Sequence, residues 1–171
     1  MYKPESAPPR AEARSGQVDS NQFCNAMGQF ATGITIITCR TAAGKPVGLT
    51  INSFNSVSLS PPLVLWSLSR RFKNFTAFEE TQHYGVSVLS AEQEYLSKRF
   101  SVFHGDRFDG VELQQGLFNM PLISGALAHF ECQVRNRHYE GDHVIVVGEV
   151  LNCIHSEGPA LVYKARNYGA I

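Results

Sequence analysis

The sequence predicts a mainly β fold, an antiparallel barrel or sandwich, on three observations. Short runs rich in β-branched and aromatic residues recur along the 171 residues, and strands prefer this composition. Glycine, proline and asparagine separate these runs at turns. Most of the runs follow one another without a helix between them, which favours an antiparallel architecture over a doubly wound parallel sheet. We expect about seven strands and three helices in one domain.

The domain is expected to cover residues 19–171. A flexible tail at residues 1–18 should precede it, because that segment is rich in proline, alanine, serine and charge and has no apolar period. A helix should begin near Asp19, which can cap it, with Gln22 as its capping-box partner. The helix carries apolar residues at spacings of four and three, which predicts a face packed into the core. These residues are Phe23, Met27 and Phe30.

The remaining elements follow from periodicity and from turn residues. Ser90 and Gln93 form a second capping box, which should open a helix that runs toward Phe100. Another short helix is expected at residues 72–80, and residues 101–120 have the composition of a loop. Strands are predicted at residues 34–39, 47–51, 54–59, 63–68, 84–89, 126–135 and 144–154, with a short one at 160–163.

The strand at 126–135 alternates two kinds of residue, which predicts one apolar and one mostly polar face. The apolar set is Ala126, Ala128, Phe130, Cys132 and Val134. The other set, which is polar except for Leu127, consists of Leu127, His129, Glu131, Gln133 and Arg135.

Composition and missing motifs argue against several functions. The 15 Lys and Arg residues balance the 15 Asp and Glu residues, so neither nucleic acid nor a membrane is expected as a partner. No apolar run approaches the roughly 18 residues of a membrane helix, and we expect a soluble cytoplasmic protein. The four cysteines form no CxxC pair and should be free, mostly buried thiols. The chain has no GxGxxG, Walker A or GxSxG motif, and no metal site is predicted.

Three segments carry possible chemistry. Residues 48–62 are rich in hydroxyls and amides, which suit the edge of a polar heterocycle and a ribityl chain; turn-forming loop residues explain them equally well. Residues 67–74 place hydroxyls and three cations at a strand-to-helix junction, a plausible phosphate site, although a solvated basic turn is an equal alternative. His143 follows a turn and could donate to developing negative charge, or it could be a hairpin histidine without a role.

With these segments in order, the sequence resembles the flavin reductase-like family, which includes the small reductase components of two-component flavin monooxygenases. The resemblance spans about residues 20–169, and the block from Thr50 to Pro62 is its most specific part. The matching segments are residues 30–38, 48–64, 100–108, 141–143 and 148–150.

The resemblance implies a Greek-key split β-barrel that forms a homodimer, binds FMN or FAD near the subunit interface, and takes hydride from NADH or NADPH. It places the flavin ring and ribityl chain at Thr50, Asn52, Ser53, Ser56 and Ser58, with Ile51 and Val57 as further cofactor-binding residues. It places the phosphate at Ser67, Ser69, Lys73 and Asn74, and it adds Phe75 as a further cofactor-binding residue. His143 would lie near the nicotinamide as the catalytic residue, and Tyr168 would cover the pocket.

The expected activity is therefore an NAD(P)H:flavin oxidoreductase that supplies reduced flavin to a partner monooxygenase. Two alternatives remain open at this point. One is a flavoprotein that holds FMN tightly and reduces another acceptor, such as a ferric complex. The other is a flavin-binding module without catalysis.

Overall fold

The computed structural model describes residues 18–102 and 105–171, so nearly all of the predicted tail lies outside the described residues. The three α-helices are α1 (Ser20–Met27), α2 (Phe75–Glu80) and α3 (Glu94–Val102). The first seven strands are β1 (Thr32–Gly33), β2 (Thr35–Arg40), β3 (Pro46–Ile51), β4 (Asn55–Leu59), β5 (Pro62–Ser69), β6 (His83–Val88) and β7 (Leu113–Gln115). The others are β8 (Pro121–Ile123), β9 (Ala128–Glu140), β10 (His143–His155), β11 (Leu161–Lys164) and β12 (Asn167–Ala170).

A seven-stranded antiparallel sheet dominates the fold, in the order β3-β2-β6-β9-β10-β5-β4. The prediction of a mainly β, antiparallel protein is therefore confirmed. The two edges of the sheet are β3 and β4, which are consecutive in sequence but are not hydrogen-bonded to each other in the described part of the chain. A three-stranded sheet, β1-β11-β12, and a β7-β8 hairpin pack around it.

Two apolar clusters hold the large sheet and its helices together. The first lies against α2, where Trp66 makes edge-on contacts with Phe78 and Tyr84 at centroid distances of 5.5 and 5.7 Å. The second lies under α3, which contributes the fully buried Phe100 to the same cluster as Ile36. Together these clusters fix both helices relative to β3, the edge strand that lies between them.

The alternating pattern of β9 was predicted correctly as a strand but wrongly as one with a solvated polar face. His129 and Glu131 are only 4% and 5% exposed. The β7-β8 segment covers them: the Leu117 amide donates to Glu131, and the Ser87 hydroxyl lies 3.2 Å from His129 Nδ1. A strand pattern cannot reveal this, because a later hairpin supplies the cover.

The prediction that the apolar face of α1 packs into the core is wrong. Phe23 and Met27 of α1 are 58% and 53% exposed, Phe30 lies beyond the end of the helix and is 66% exposed, and no described element covers them. The cap itself is as predicted, since Asp19 accepts a hydrogen bond of 2.9 Å from the Gln22 amide.

Several element boundaries also differ from the predictions. Helix α2 begins at Phe75, three residues later than predicted, and the predicted loop at 101–120 contains β7. Ser90 and Gln93 do form a capping box, but it opens a short 3-10 turn that leads into α3.

The four cysteines are free, but only two of them are buried. Burial raises the pKa of the Cys39 and Cys132 thiols to about 12, so both stay protonated near neutral pH. Cys24 and Cys153 are exposed, contrary to the prediction of mostly buried thiols. Within residues 18–102 and 105–171, no helix is long and apolar enough to cross a membrane.

Candidate functional site

Strand β3 positions one end of the candidate site. The side of β3 that carries Gly48 and Thr50 lies under α3 and the segment after it. A Cβ on Gly48 would lie 2.8 Å from the Phe100 ring and 3.0 Å from Phe108, so only glycine allows this close approach. Thr50 donates a hydrogen bond of 2.7 Å to the Ser97 carbonyl. The predicted flavin segment is thus anchored on a rigid helix.

Tyr168 closes this arrangement from the C-terminal hairpin. Its hydroxyl lies 2.9 Å from the Ser97 hydroxyl, and its ring packs edge-on against Tyr163 at 5.1 Å. A cleft of about 190 Å³ opens between the hairpin and the end of β3. It is lined by Ile34, Thr50, Ile51, Asn52, Ser101, Tyr163 and Tyr168.

A second cleft, of about 380 Å³, adjoins the first through Asn52 and Tyr163. Its walls include the exposed apolar face of α1 together with Asn52 and Ser53. Thr32 lines it too, and the Thr32 hydroxyl is buried without a hydrogen-bond partner among the described residues. A buried polar atom without a partner is costly, so this oxygen indicates a place for a ligand group that donates or accepts.

Ser53 links these clefts to β5. Its hydroxyl accepts a hydrogen bond of 3.0 Å from the Ser67 amide, so the turn after β3 is fastened to the far end of the sheet. Two residues further along β5, Ser69 lies directly opposite His143 of β10. Residues opposite each other in an antiparallel pair hold their Cβ atoms about 4.5–5.5 Å apart, so His143 and Ser69 are neighbours.

The imidazole of His143 is held by the turn that precedes it. Its Nδ1 lies 2.7 Å from the Asp142 carboxylate, and the interaction with His143 lowers the pKa of Asp142. Gly141 adopts a positive φ of 59° in this turn, which glycine accommodates without strain. The Arg70 amide donates to the Asp142 carbonyl at 2.9 Å. The Nε2 atom is the remaining nitrogen for a ligand.

A basic cleft of about 620 Å³ lies at the other end of β3. We call it the inner cleft. Lys45 and Gly48 contribute one wall, and Arg71 and Lys73 contribute the opposite one. Arg107 donates 3.0 Å to the Gly48 carbonyl, and its guanidinium lies 5.5 Å from the Phe72 ring centre. Burial lowers the pKa of Arg107, which nevertheless stays charged because an arginine pKa lies far above neutrality.

The structure brings only part of the predicted site together. Thr50, Asn52, Ser53, Lys73, Asn74 and Tyr168 line the clefts described above, with Ile51 as a buried wall residue. Ser67 and Ser69 lie beside them on β5, and Phe75 packs against the core cluster under α2.

Three predicted residues and the catalytic candidate lie outside these clefts. Ser56, Val57 and Ser58 belong to the edge strand β4 and line none of the clefts described above. His143 does not line them either, although it is fixed beside Ser69.

The sequence did not indicate four other residues that line these clefts. These are Thr32, Lys45, Arg107 and Tyr163. For three of them a signal existed: Thr32 and Arg107 lie within segments that carried the resemblance, and Lys45 lies three residues before one. Thr32 and Tyr163 meet only because β1 pairs with β11, where they are register partners.

The donor set of the site fits a flavin nucleotide. Amide and hydroxyl groups at Asn52, Ser53 and Thr32 can pair with a polar ring edge, and Arg71 and Lys73 can neutralise a phosphate. No group of three or more potential metal ligands occurs in the described residues.

Comparisons with known sequences and structures agree with a site for a flavin nucleotide. The family model described as flavin reductase like domain matches residues 27–171. The chain is 44% identical over 154 residues to the FMN reductase (NADH) SmoA of Agrobacterium fabrum, covering 90% of this chain and 87% of that protein. It is 36% identical to the flavin-dependent monooxygenase reductase subunit HsaB of Rhodococcus jostii, covering 89% and 78%. The solved NADH:FAD oxidoreductase SgcE6 of Streptomyces globisporus, in complex with NAD and FAD fragments, superposes with a TM-score of 0.83 and 34% identity, covering 91% of this chain and 96% of that one.

Proposed function

The chain belongs to the flavin reductase-like family, and on this premise we propose that it is an NAD(P)H-dependent flavin reductase that supplies reduced flavin to a partner monooxygenase. The observation that carries the proposal is the run of clefts along β3. Hydroxyl and amide groups lie at one end, around Asn52, and cations lie at the other, around Lys73. This polarity matches a flavin mononucleotide half, with its polar ring at one end and its phosphate at the other.

When bound, the reduced nicotinamide and the flavin would supply the hydride-transfer chemistry themselves. The protein's part is to bind and orient them. Asn52 and Ser53 offer hydrogen bonds to the ring edge, and Arg71 and Lys73 neutralise the phosphate. Asp142 fixes the orientation of the His143 ring, so that Nε2 can hold a proton for the negative charge that develops during the reaction.

The proposal includes a homodimeric split barrel with a Greek-key connection, as in the family. The edges β3 and β4 leave a gap in the sheet, and the exposed face of α1 borders the cleft at Ser53. Leu59 on β4 is 93% exposed. A second copy covering these apolar surfaces would also explain why His143 lies outside the clefts of a single chain. Light scattering on a sizing column should give twice the monomer mass, and a monomer would contradict this part of the proposal.

Anaerobic absorbance of the purified protein with FMN or FAD and NADH or NADPH tests the activity. Bands at about 340 and 450 nm should both fall at catalytic enzyme concentration, as nicotinamide is consumed and flavin is reduced. If flavin binds and neither band falls, the reductase assignment is wrong and a binding module is the better description.

His143→Ala tests the proposed proton donor. Turnover should fall by about 10- to 1000-fold while flavin affinity survives, because the ring acts on developing charge and not on the bound ground state. His143→Gln, which keeps a donor of similar length, is the matched control and should retain more activity. Unchanged turnover in His143→Ala would remove this residue from the catalytic role.

A further inference from the structure

Lys73 and Asn74 line two clefts. One is the inner cleft, of about 620 Å³. The other, which we call the outer cleft, has a volume of about 500 Å³ and lies between the turn after β2 and helix α2. Because the same two residues belong to both walls, the clefts join into one trough that runs past the start of α2.

Positive charge is distributed along the whole trough. Lys45 and Arg71 lie in the inner cleft, Lys73 at the junction, and Arg40 in the outer cleft. Two carboxylates, Asp106 and Glu80, line the trough. Within the described part of the chain, Lys45, Arg71 and Lys73 form no salt bridge with either of them. Cations spread over this length suit a ligand with more than one phosphate.

The outer cleft has the walls of a nucleoside site. Its residues around Lys73 are small or carry hydroxyls, including Ala42, Ala43, Thr76 and Thr81. Arg40 is held in place, since its guanidinium donates to the Asn119 carbonyl at 2.6 Å and to the Gly44 carbonyl at 2.8 Å. A cation fixed by neutral carbonyls keeps its charge available to an anion.

The outer cleft is large enough to hold a second nucleotide half. Sites for small ligands have volumes of roughly 300–1,000 Å³, and each cleft by itself lies in that range. A flavin mononucleotide with its ring at the clefts around Asn52 and its phosphate at Lys73 would leave the outer cleft empty. A flavin dinucleotide would continue past Lys73 with its second phosphate and place its adenosine between Ala42 and Thr76 of the outer cleft.

We propose that the outer cleft binds the adenosine monophosphate half of FAD, so that this protein prefers FAD to FMN. The inference rests on the proposed function, because it takes the flavin phosphate to lie at Lys73. It specifies which flavin the site selects and assigns a role to residues of the β2–β3 turn and of α2 that the sequence did not single out.

Titration calorimetry with oxidised FMN and FAD tests the preference directly. The unaltered protein should bind FAD at least about tenfold more tightly than FMN, a difference that two extra charge-assisted contacts readily supply. Thr76→Glu places a negative charge in the outer cleft and should reduce the ratio of the two affinities by about tenfold at low salt. Ala42→Glu, on the opposite wall, should reduce it similarly.

Gln82→Glu is the matched control. It adds the same charge just beyond α2, outside both clefts, and should leave the ratio unchanged. Equal affinities for FMN and FAD in the unaltered protein would overturn the proposal. So would a ratio in Thr76→Glu and Ala42→Glu that matches the control. Failure of the proposed function is distinguishable, because NADH would then reduce neither flavin, whatever their relative affinities.

Discussion

Replacing Gly148 with alanine should destabilise the protein strongly, because a fully buried tyrosine occupies the space of the new methyl group. A Cβ at this position would lie 2.7 Å from Cζ and 2.9 Å from Cε1 of Tyr84, and closer still to its hydroxyl oxygen. Side chains do not tolerate such distances, so something must move. Strand β10 lies between two neighbours here, with Val64 and Val134 as the register partners of Gly148, and Tyr84 is packed against Trp66.

Neither partner can move cheaply, so the cost should reach the upper end of overpacking penalties, about 3 kcal/mol. For a chain of this length, that corresponds to a melting temperature lower by about 6–12 °C. Thermal and urea denaturation followed by circular dichroism would measure it. Gly33→Ala is the matched control: nothing lies within 4 Å of its Cβ position, and we expect a change of less than about 0.5 kcal/mol.

Tyr84→Phe supplies the rescue. It removes the hydroxyl oxygen, the atom nearest to the new methyl group, so the double variant should recover about 1 kcal/mol or more relative to additivity. The reasoning would be refuted if Gly148→Ala had the same melting temperature as the Gly33→Ala control. It would also be refuted if the double variant Gly148→Ala with Tyr84→Phe were no more stable than the sum of the two single changes predicts. Confirmation would mean that this glycine of the Gly-Glu-Val segment serves packing rather than chemistry.

Three further outcomes are expected. Combining Ser69→Ala with Lys73→Ala should weaken flavin binding in calorimetry by about tenfold or more, since both groups are proposed to approach the phosphate; unaltered affinity would leave a solvated basic turn. Ala165 and Arg166 have φ angles of 48° and 66° in the β11–β12 turn, where asparagine and glycine are favoured. The double substitution Ala165→Asn with Arg166→Gly should therefore stabilise the protein by about 1–2 kcal/mol. An unchanged melting temperature would contradict this. Burial lowers the pKa of His129, so the unfolded chain binds the extra proton first, and stability should fall as the pH drops below about 6.5. His129→Asn should lose less stability than the unaltered protein between about pH 7.5 and 5.5 in thermal melts, and equal losses would exclude this histidine as a cause.

The local features of the fold were predictable from the sequence. The Asp19 cap and the Ser90–Gln93 capping box involve residues three apart, so the chain itself brings their atoms together. The long strands could be predicted because a run of β-branched and apolar residues favours a strand whatever it later packs against, as in β2 and β5. The short strands β1, β7 and β12 carry too few residues for a period to be visible.

Burial was predicted less well, because it depends on what covers a face. The apolar face of α1 has a sound helical period, yet Phe23 and Met27 are exposed because no described element packs on them. The polar face of β9 alternates as a solvated strand would, yet Glu131 is buried because Leu117 is folded back upon it. Both errors arise from contacts between segments distant in sequence.

For the candidate site, too, local properties could be predicted and contacts between distant segments could not. The sequence by itself determined the chemical character of two segments: hydroxyls and amides after Gly48, and cations after Ser69. Only the tertiary structure decided that these segments flank one edge strand, that Thr32 contributes a buried hydroxyl without a partner among the described residues, and that Lys73 lies at the junction of two clefts. The reason is physical: side-chain chemistry belongs to each residue, whereas a cleft exists only where strands and helices distant in sequence pack together and leave space between them.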